Sequence, residues 1–127
     1  MHVQARAGWD NHFKLNFVVE FCGQAGAGAR FEGVRILGFG ALDRAIPEAN
    51  LEHLWVEPTA MRRGVGAALF AHAVKLARAR GAQRLRIESD PYAESFYLRM
   101  GAQPVGAIAA PIDGAPERVI PVLDLAL

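Results

Sequence analysis

Residues 61–67 read M-R-R-G-V-G-A, and this heptapeptide limits what the chain around it can be. It follows a short apolar run, Leu54-Trp55-Val56, and precedes a long amphipathic run over residues 67–80. The pattern predicts strand, tight loop, helix. Gly64 and Gly66 stand where the chain must turn and where a ligand can approach bare backbone. The first N–H groups of the helix would then converge on one point. Orphan donors and the helix dipole together make such a point an anion site. Arg62 and Arg63 add two permanent positive charges beside it.

Known phosphate loops separate on residue type. A mononucleotide loop of the form G-x-x-x-x-G-K-[ST] needs a lysine and a hydroxyl that are not here. A dinucleotide fingerprint needs a third glycine where this chain has Leu69. It also needs an acid about twenty positions on, where Arg84 stands. A strand-to-helix turn that uses glycine for geometry alone also fits the heptapeptide.

At 127 residues one domain is expected, spanning 1–127, and a 52% hydrophobic fraction is ample for a core. A net charge of +1 offers no general attraction to polyanions, so no nucleic-acid partner is expected. The single cysteine, Cys22, excludes an internal disulfide and fits a reducing compartment. It has no basic partner in sequence and is not read as a nucleophile. No apolar run approaches the roughly 20 residues that span a bilayer, and no secretory leader is recognisable. A cytoplasmic location and no membrane partner are therefore expected. His2, His12, His53 and His72 form no ligand-spaced set, so no metal is expected.

Residues 1–12 show no period. Phe13, Leu15, Phe17, Val19 and Phe21 then alternate with polar neighbours, which predicts a half-buried strand over 13–22. Residues 23–29 are a glycine and alanine loop, followed by strand, turn and strand up to Leu42. Residues 45–49 read as a connection. Residues 51–57 form a strand with Leu54 and Val56 on one face and Leu51 and Trp55 on the other. That distribution predicts a central strand covered on both sides. The helix stripe is Val65, Leu69, Ala73 and Leu76, with Gly81 as its stop.

Leu85, Ile87 and Ser89 mark the next strand. Asp90-Pro91 starts a second helix, with Asp90 as cap. Its apolar stripe is Tyr92, Ala93, Phe96, Tyr97 and Met100, closed by Gly101. Pro104 pushes strand 103–108 toward an edge or a bulge. A Pro/Gly loop leads to the last strand, 119–125. An α/β (α+β) fold is expected: a mixed, mostly antiparallel sheet of about six to seven strands and two main helices.

Two blocks, L-W-V-E-P-T-A-M-R-R-G-V-G-A-A-L and S-D-P-Y-A-E-S-F-Y-L-R-M-G-A, occur in this order. Together they resemble the GNAT superfamily of acyl-CoA N-acyltransferases. The first resembles its strand, pyrophosphate loop [QR]-x-x-G-x-[GA] and long helix. The second resembles its later helix, with an aromatic pair followed by x-x-x-G. The likeness covers residues 31–127 and is sharpest over 51–102. Met61 replaces the usual Gln or Arg, Asp90 stands where many members have Asn, and Ala102 replaces a common aromatic. The loop at 23–29 leaves no room for the family's N-terminal helix pair.

The resemblance implies acetyl-CoA as cosubstrate, a central splayed strand pair, and direct acetyl transfer to a primary amine of a small molecule or protein. It implies cofactor contacts at Leu54, Trp55, Val56, Arg62, Arg63, Gly64, Val65, Gly66, Ala67 and Asp90. It implies Tyr97 as the acid for the leaving thiolate; as a plain helix residue Tyr97 would be a core aromatic like Phe96. Glu52, Glu88 and His53 are candidate bases, and each carboxylate is equally at home in a surface ion pair. Trp55 is expected in the core, and Tyr92 is expected to pack. The arginines at 78, 80, 84 and 86 read as a solvated face. The missing helix pair suggests a homodimer in which a neighbour completes the groove. A non-catalytic acyl-CoA-binding regulatory module is the alternative, and a nucleotide-binding domain a third reading. A thermal-shift comparison separates the last from the others. Acetyl-CoA at 100 times its dissociation constant adds about 2.7 kcal/mol of stability, whereas ATP and NAD should leave the midpoint in place.

Overall fold

The computed structural model describes residues 5–7, 14–21 and 35–127. Among the described residues seven strands form one sheet: β1 (Ala5–Ala7), β2 (Lys14–Phe21), β3 (Arg35–Asp43), β4 (Glu48–Val56), β5 (Arg84–Glu88), β6 (Gln103–Ala109) and β7 (Val119–Ala126). Their spatial order is β1-β2-β3-β4-β5-β7-β6. All neighbours are antiparallel except β4 and β5. A parallel pair needs a crossover, and helix α1 (Val65–Ala79) supplies it. Helix α2 (Glu94–Arg99) links β5 to β6.

Both helices cover the same face. From α1, Val65, Leu69, Phe70, Ala73 and Ala77 are buried. They belong to one core with Phe17 of β2, Leu42 of β3, Leu51 of β4, and Leu85 and Ile87 of β5. Each large side chain so buried contributes about 1.5–3 kcal/mol. Phe70 also meets Phe96 and Tyr97 of α2, with ring centroids 6.3 and 5.8 Å away. Two β3 glycines make the close packing feasible. A Cβ on Gly38 would lie 2.8 Å from Leu69 and Val65, and one on Gly40 would overlap the Phe17 ring.

The sheet breaks at its centre. Ala41 of β3 pairs with His53, but the next residue, Leu42, pairs with Leu51. Glu52 is the extra residue of a β-bulge, and a bulge bends its strand and re-aims the residues after it. Pairing to β5 stops at the same place, with Leu51 opposite Ile87. Residues 53–56 therefore pair with β3 alone.

The bulge corrects the two-faced assignment of this strand. Ala49 and Leu51 point into the helix-covered core; after Glu52 the phase shifts, and Leu54 and Val56 take over that face. Leu51 thus shares a face with Leu54 rather than with Trp55. Trp55 is 49% exposed, so neither its expected core position nor a fully covered second face holds. A period-2 reading cannot see an inserted residue.

Other expectations shift less. β4 starts at Glu48, within the expected connection, because Glu48, Ala49 and Asn50 pair with β5. A strand appears at Ala5–Ala7, drawn in by β2 where no local period marked it. Asp90 accepts from Tyr92 N at 2.8 Å, but it caps a 3₁₀ turn, Pro91–Ala93, ahead of α2. Tyr92 is 96% exposed and packs on nothing. Pro104 fulfils both readings: β6 is an edge strand, and its register slips between Pro104 and Gly106. The expected loop at 23–29, the strand and turn over 30–34, and Cys22 lie outside the described residues.

Gly40→Ala tests the packing. Overpacking against the fully buried Phe17 ring should cost about 1–3 kcal/mol. Gly106→Ala, with open space at its Cβ, should cost nothing. Urea denaturation midpoints measure both, and equal midpoints would contradict the packing described.

Candidate functional site

The loop between β4 and α1 is built to leave backbone donors free. Glu57 follows β4 and caps the 3₁₀ turn Pro58–Ala60, accepting from Thr59 N at 3.1 Å. Ala60 is buried and anchors the turn. Arg62 and Gly64 then take left-handed conformations, with φ of 65° and 80°. Gly64 is the N-cap of α1 but offers no side-chain acceptor, and the first turn holds no acid. The first helical bond runs from Ala68 N to Gly64 O. The N–H groups of Val65, Gly66 and Ala67 precede it. Helices usually satisfy these donors with Ser, Thr, Asp or Asn at the cap; here Gly64 supplies no such cap.

Gly66 and Ala67 border a cavity of about 470 Å³, within the usual range for small-molecule sites. Leu54 and Val56 form its strand wall, on the part of β4 released from β5. Met61, Arg62, Gly64, Gly66 and Ala67 form its loop wall. Helix α2 closes the third side with Phe96, Tyr97, Arg99 and Met100. Arg62 and Arg99 make no ion pair with a described residue, and no described carboxylate borders the cavity. The site joins an apolar slot to a cationic mouth.

Of the residues expected to hold the cofactor, Leu54, Val56, Arg62, Gly64, Gly66 and Ala67 border this cavity. Trp55 faces away, Arg63 is exposed beside the loop, Val65 turns its side chain into the core, and Asp90 is engaged with Tyr92 N. Gly66 has a second role that the motif does not show. A Cβ there would lie 3.3 Å from the Phe96 ring, so glycine also lets α2 close against α1. Arg99 and Met100 were not among the expected site residues, although Met100 belongs to the expected apolar stripe. Their signal was helical spacing, three and four residues beyond Phe96.

Tyr97 is 6% exposed and borders the cavity. Burial pushes its hydroxyl pKa up to about 12. Its ring is held by Phe96 and Phe70, at 5.1 and 5.8 Å between centroids. Glu52 and Glu88 lie elsewhere, bordering a smaller cavity of about 150 Å³ with Asn50, Leu51 and Arg86. Arg86 meets Glu88 at 3.3 Å. His53 borders neither cavity and sits beside Phe39, 6.3 Å between rings. Among the four expected solvated arginines, Arg84 reaches Asp124 at 3.7 Å, and Arg78 and Arg80 are exposed. Among the described residues no group of three or more His, Cys, Asp or Glu is placed to hold a metal. No described helix is long and apolar enough to cross a membrane.

The left-handed Arg62 gives a test of the loop. A side chain in that region costs about 1–2 kcal/mol. Arg62→Gly should relieve it, offset in part by the freedom glycine gains when unfolded, and so should not destabilise the fold. The same change removes a cation from the cavity and should weaken binding of the expected cosubstrate, coenzyme A, about tenfold. Denaturation and calorimetry measure the pair; unchanged affinity would remove Arg62 from the site.

The Acetyltransferase (GNAT) domain family matches residues 28–109. A search of curated proteins returned no match. Among solved structures, a Bacillus anthracis protein assigned as a streptothricin acetyltransferase, in complex with acetyl coenzyme A, superposes with a TM-score of 0.74. It is 19% identical, over 93% of this chain and 65% of that one. Nourseothricin acetyltransferase gives a TM-score of 0.70 at 25% identity, over 89% and 65%. A GCN5-related N-acetyltransferase from Rhodopseudomonas palustris gives 0.70 at 23% identity, over 90% and 62%. This chain therefore spans less than two thirds of each of these three structures. The likeness carries the fold, a mixed sheet with an opened central strand pair and two helices on it. With the family match extending over more than half of its length, the chain belongs to the GNAT acetyltransferase domain family.

Proposed function

We propose that this protein is an acetyl-CoA-dependent N-acetyltransferase that moves the acetyl group directly to a primary amine of a small molecule or protein. The observation that carries this reading is one cavity bordered by the uncapped start of α1, the released edge of β4 and the Tyr97 ring. A diphosphate suits the free N–H groups at Gly66 and Ala67, beside Arg62. A pantetheine arm, itself an extended amide chain, suits the unpaired edge of β4 along Leu54–Val56, which can hydrogen-bond it as a strand would. The thioester then sits near Tyr97. Such a cosubstrate and its amine acceptor meet in the cytoplasm.

The chemistry needs three things of the protein. The carbonyl oxygen gains charge when the amine attacks, and a free β4 N–H near Leu54 to Val56 stabilises it; such a donor is worth about 3 kcal/mol. The amine must arrive or become neutral, and Glu52 at the bulge takes that proton, directly or through water, while Glu88 helps to hold the ammonium. When the C–S bond breaks, Tyr97 gives its proton to the sulfur and is reprotonated from solvent. A pKa near 12 makes Tyr97 a weak acid in isolation. The same desolvation raises the thiol, so the two groups are lifted together. Tyr97 stays protonated over the whole working range, and it contributes no basic limb to the rate profile below that value.

Tyr97→Phe tests this. The change should cut kcat by about a hundredfold or more, as loss of a general acid does. Coenzyme A affinity should hold, because phenylalanine keeps the ring that borders the cavity and packs on Phe96 and Phe70. An unchanged kcat removes Tyr97 as the acid. Binding of acetyl-CoA without turnover of any amine favours a regulatory binding module instead.

A further inference from the structure

The smaller cavity lies where β4 and β5 part, one residue beyond their last pair, Leu51 and Ile87. It opens on the face away from the helices. Leu85 and Ile87 are buried beneath α1, so Arg86 and Glu88, between and beyond them on β5, project to the other side. The two cavities thus approach the strand gap from opposite faces of the sheet.

The smaller one offers acceptors. Asn50 Nδ2 donates to Asp43 Oδ2 at 2.7 Å, and Asn50 N donates to Asp43 Oδ1 at 2.9 Å. An ionised carboxylate only accepts, so this contact sets the amide orientation and leaves the Asn50 Oδ1 as the available group. Glu52 forms no ion pair with a described residue. Glu88 keeps acceptor capacity beyond its single contact with Arg86 at 3.3 Å. Arg86 brings the guanidinium to this cavity, and Glu88 occupies it. Among the described residues, two carboxylates, Glu52 and Glu88, border this cavity against one guanidinium, Arg86.

We propose that the acceptor is a cationic amine carrying a second cationic or hydrogen-bond-donor group and no carboxylate near its nitrogen, the class of diamines and polyamines. This rests on the N-acetyltransferase reading above. An ammonium group has three donors and no acceptor, which matches Glu52 and the Asn50 oxygen. A second ammonium finds the remaining Glu88 oxygen. An acceptor with a carboxylate in that place meets Glu52 and Glu88 as like charges, and it must displace Glu88 to reach Arg86. Specificity here comes from repulsion as much as attraction.

Three amines with one four-carbon skeleton test the proposal: putrescine, butylamine and γ-aminobutyrate. The expected order of kcat/KM is putrescine, butylamine, γ-aminobutyrate, with about tenfold or more between the ends. Glu88→Gln, at an exposed strand end, frees Arg86. It should lower the putrescine to γ-aminobutyrate ratio, whereas damage to the fold would depress both alike. A ratio that favours γ-aminobutyrate, or one that Glu88→Gln leaves unchanged, overturns this inference and leaves the acetyltransferase reading standing. Turnover of no amine by protein that binds acetyl-CoA overturns both.

Discussion

One extra residue at the centre of the sheet underlies everything else. Glu52 is inserted opposite the step from Ala41 to Leu42, and β4 bends away from β5 at that point. Unpaired strand backbone is costly when buried without a partner. Here it is left beside a cavity, where an extended ligand can take the place of the missing strand. The same insertion changes which residues face inward. Leu54 and Val56 turn toward the helices, and Glu52 falls at the smaller cavity on the far side. A regular strand with the same composition would close both.

The helices hold this opening at a fixed width. Gly66 and Phe96 set how closely α1 and α2 approach, and Phe70 braces both Phe96 and Tyr97. Tyr97 is therefore positioned by the packing of its ring against Phe70 and Phe96. The burial that comes with this packing raises the pKa of its hydroxyl. The loop obeys the same logic: Arg62 and Gly64 take left-handed conformations, and α1 begins without a side-chain cap. Local stability is given up where a ligand would restore it, a common feature of functional sites.

Much of this was legible in the sequence, for physical reasons. M-R-R-G-V-G announces a loop because only glycine readily adopts the φ seen at Gly64. Gly81 and Gly101 mark helix ends in the same conformation, and Pro104 marks an edge with a bulge because it cannot donate to a ladder. What escaped was tertiary. The bulge at Glu52 exists only against β3, so alternation alone placed Leu51 with Trp55. β1 and the first residues of β4 are strands because a neighbour pairs with them. Tyr92 extends the apolar stripe of α2 by its spacing, but the chain there is a 3₁₀ turn that leaves it in solvent. For the site, Glu52 and Glu88 were recognisable as candidates, but their separation from Tyr97 by the sheet was not visible. The Arg86 pairing and the Asp43 clamp on Asn50 needed three-dimensional register.

The most direct test of the central claim is a map of backbone amide chemical shifts as acetyl-CoA is added. The account predicts the largest changes at Gly64, Val65, Gly66 and Ala67, where free N–H groups would meet the diphosphate, and along Leu54 to Val56, where released strand would pair with the pantetheine arm. Binding that leaves those amides unmoved, or that shifts a cluster elsewhere on the sheet, would contradict it.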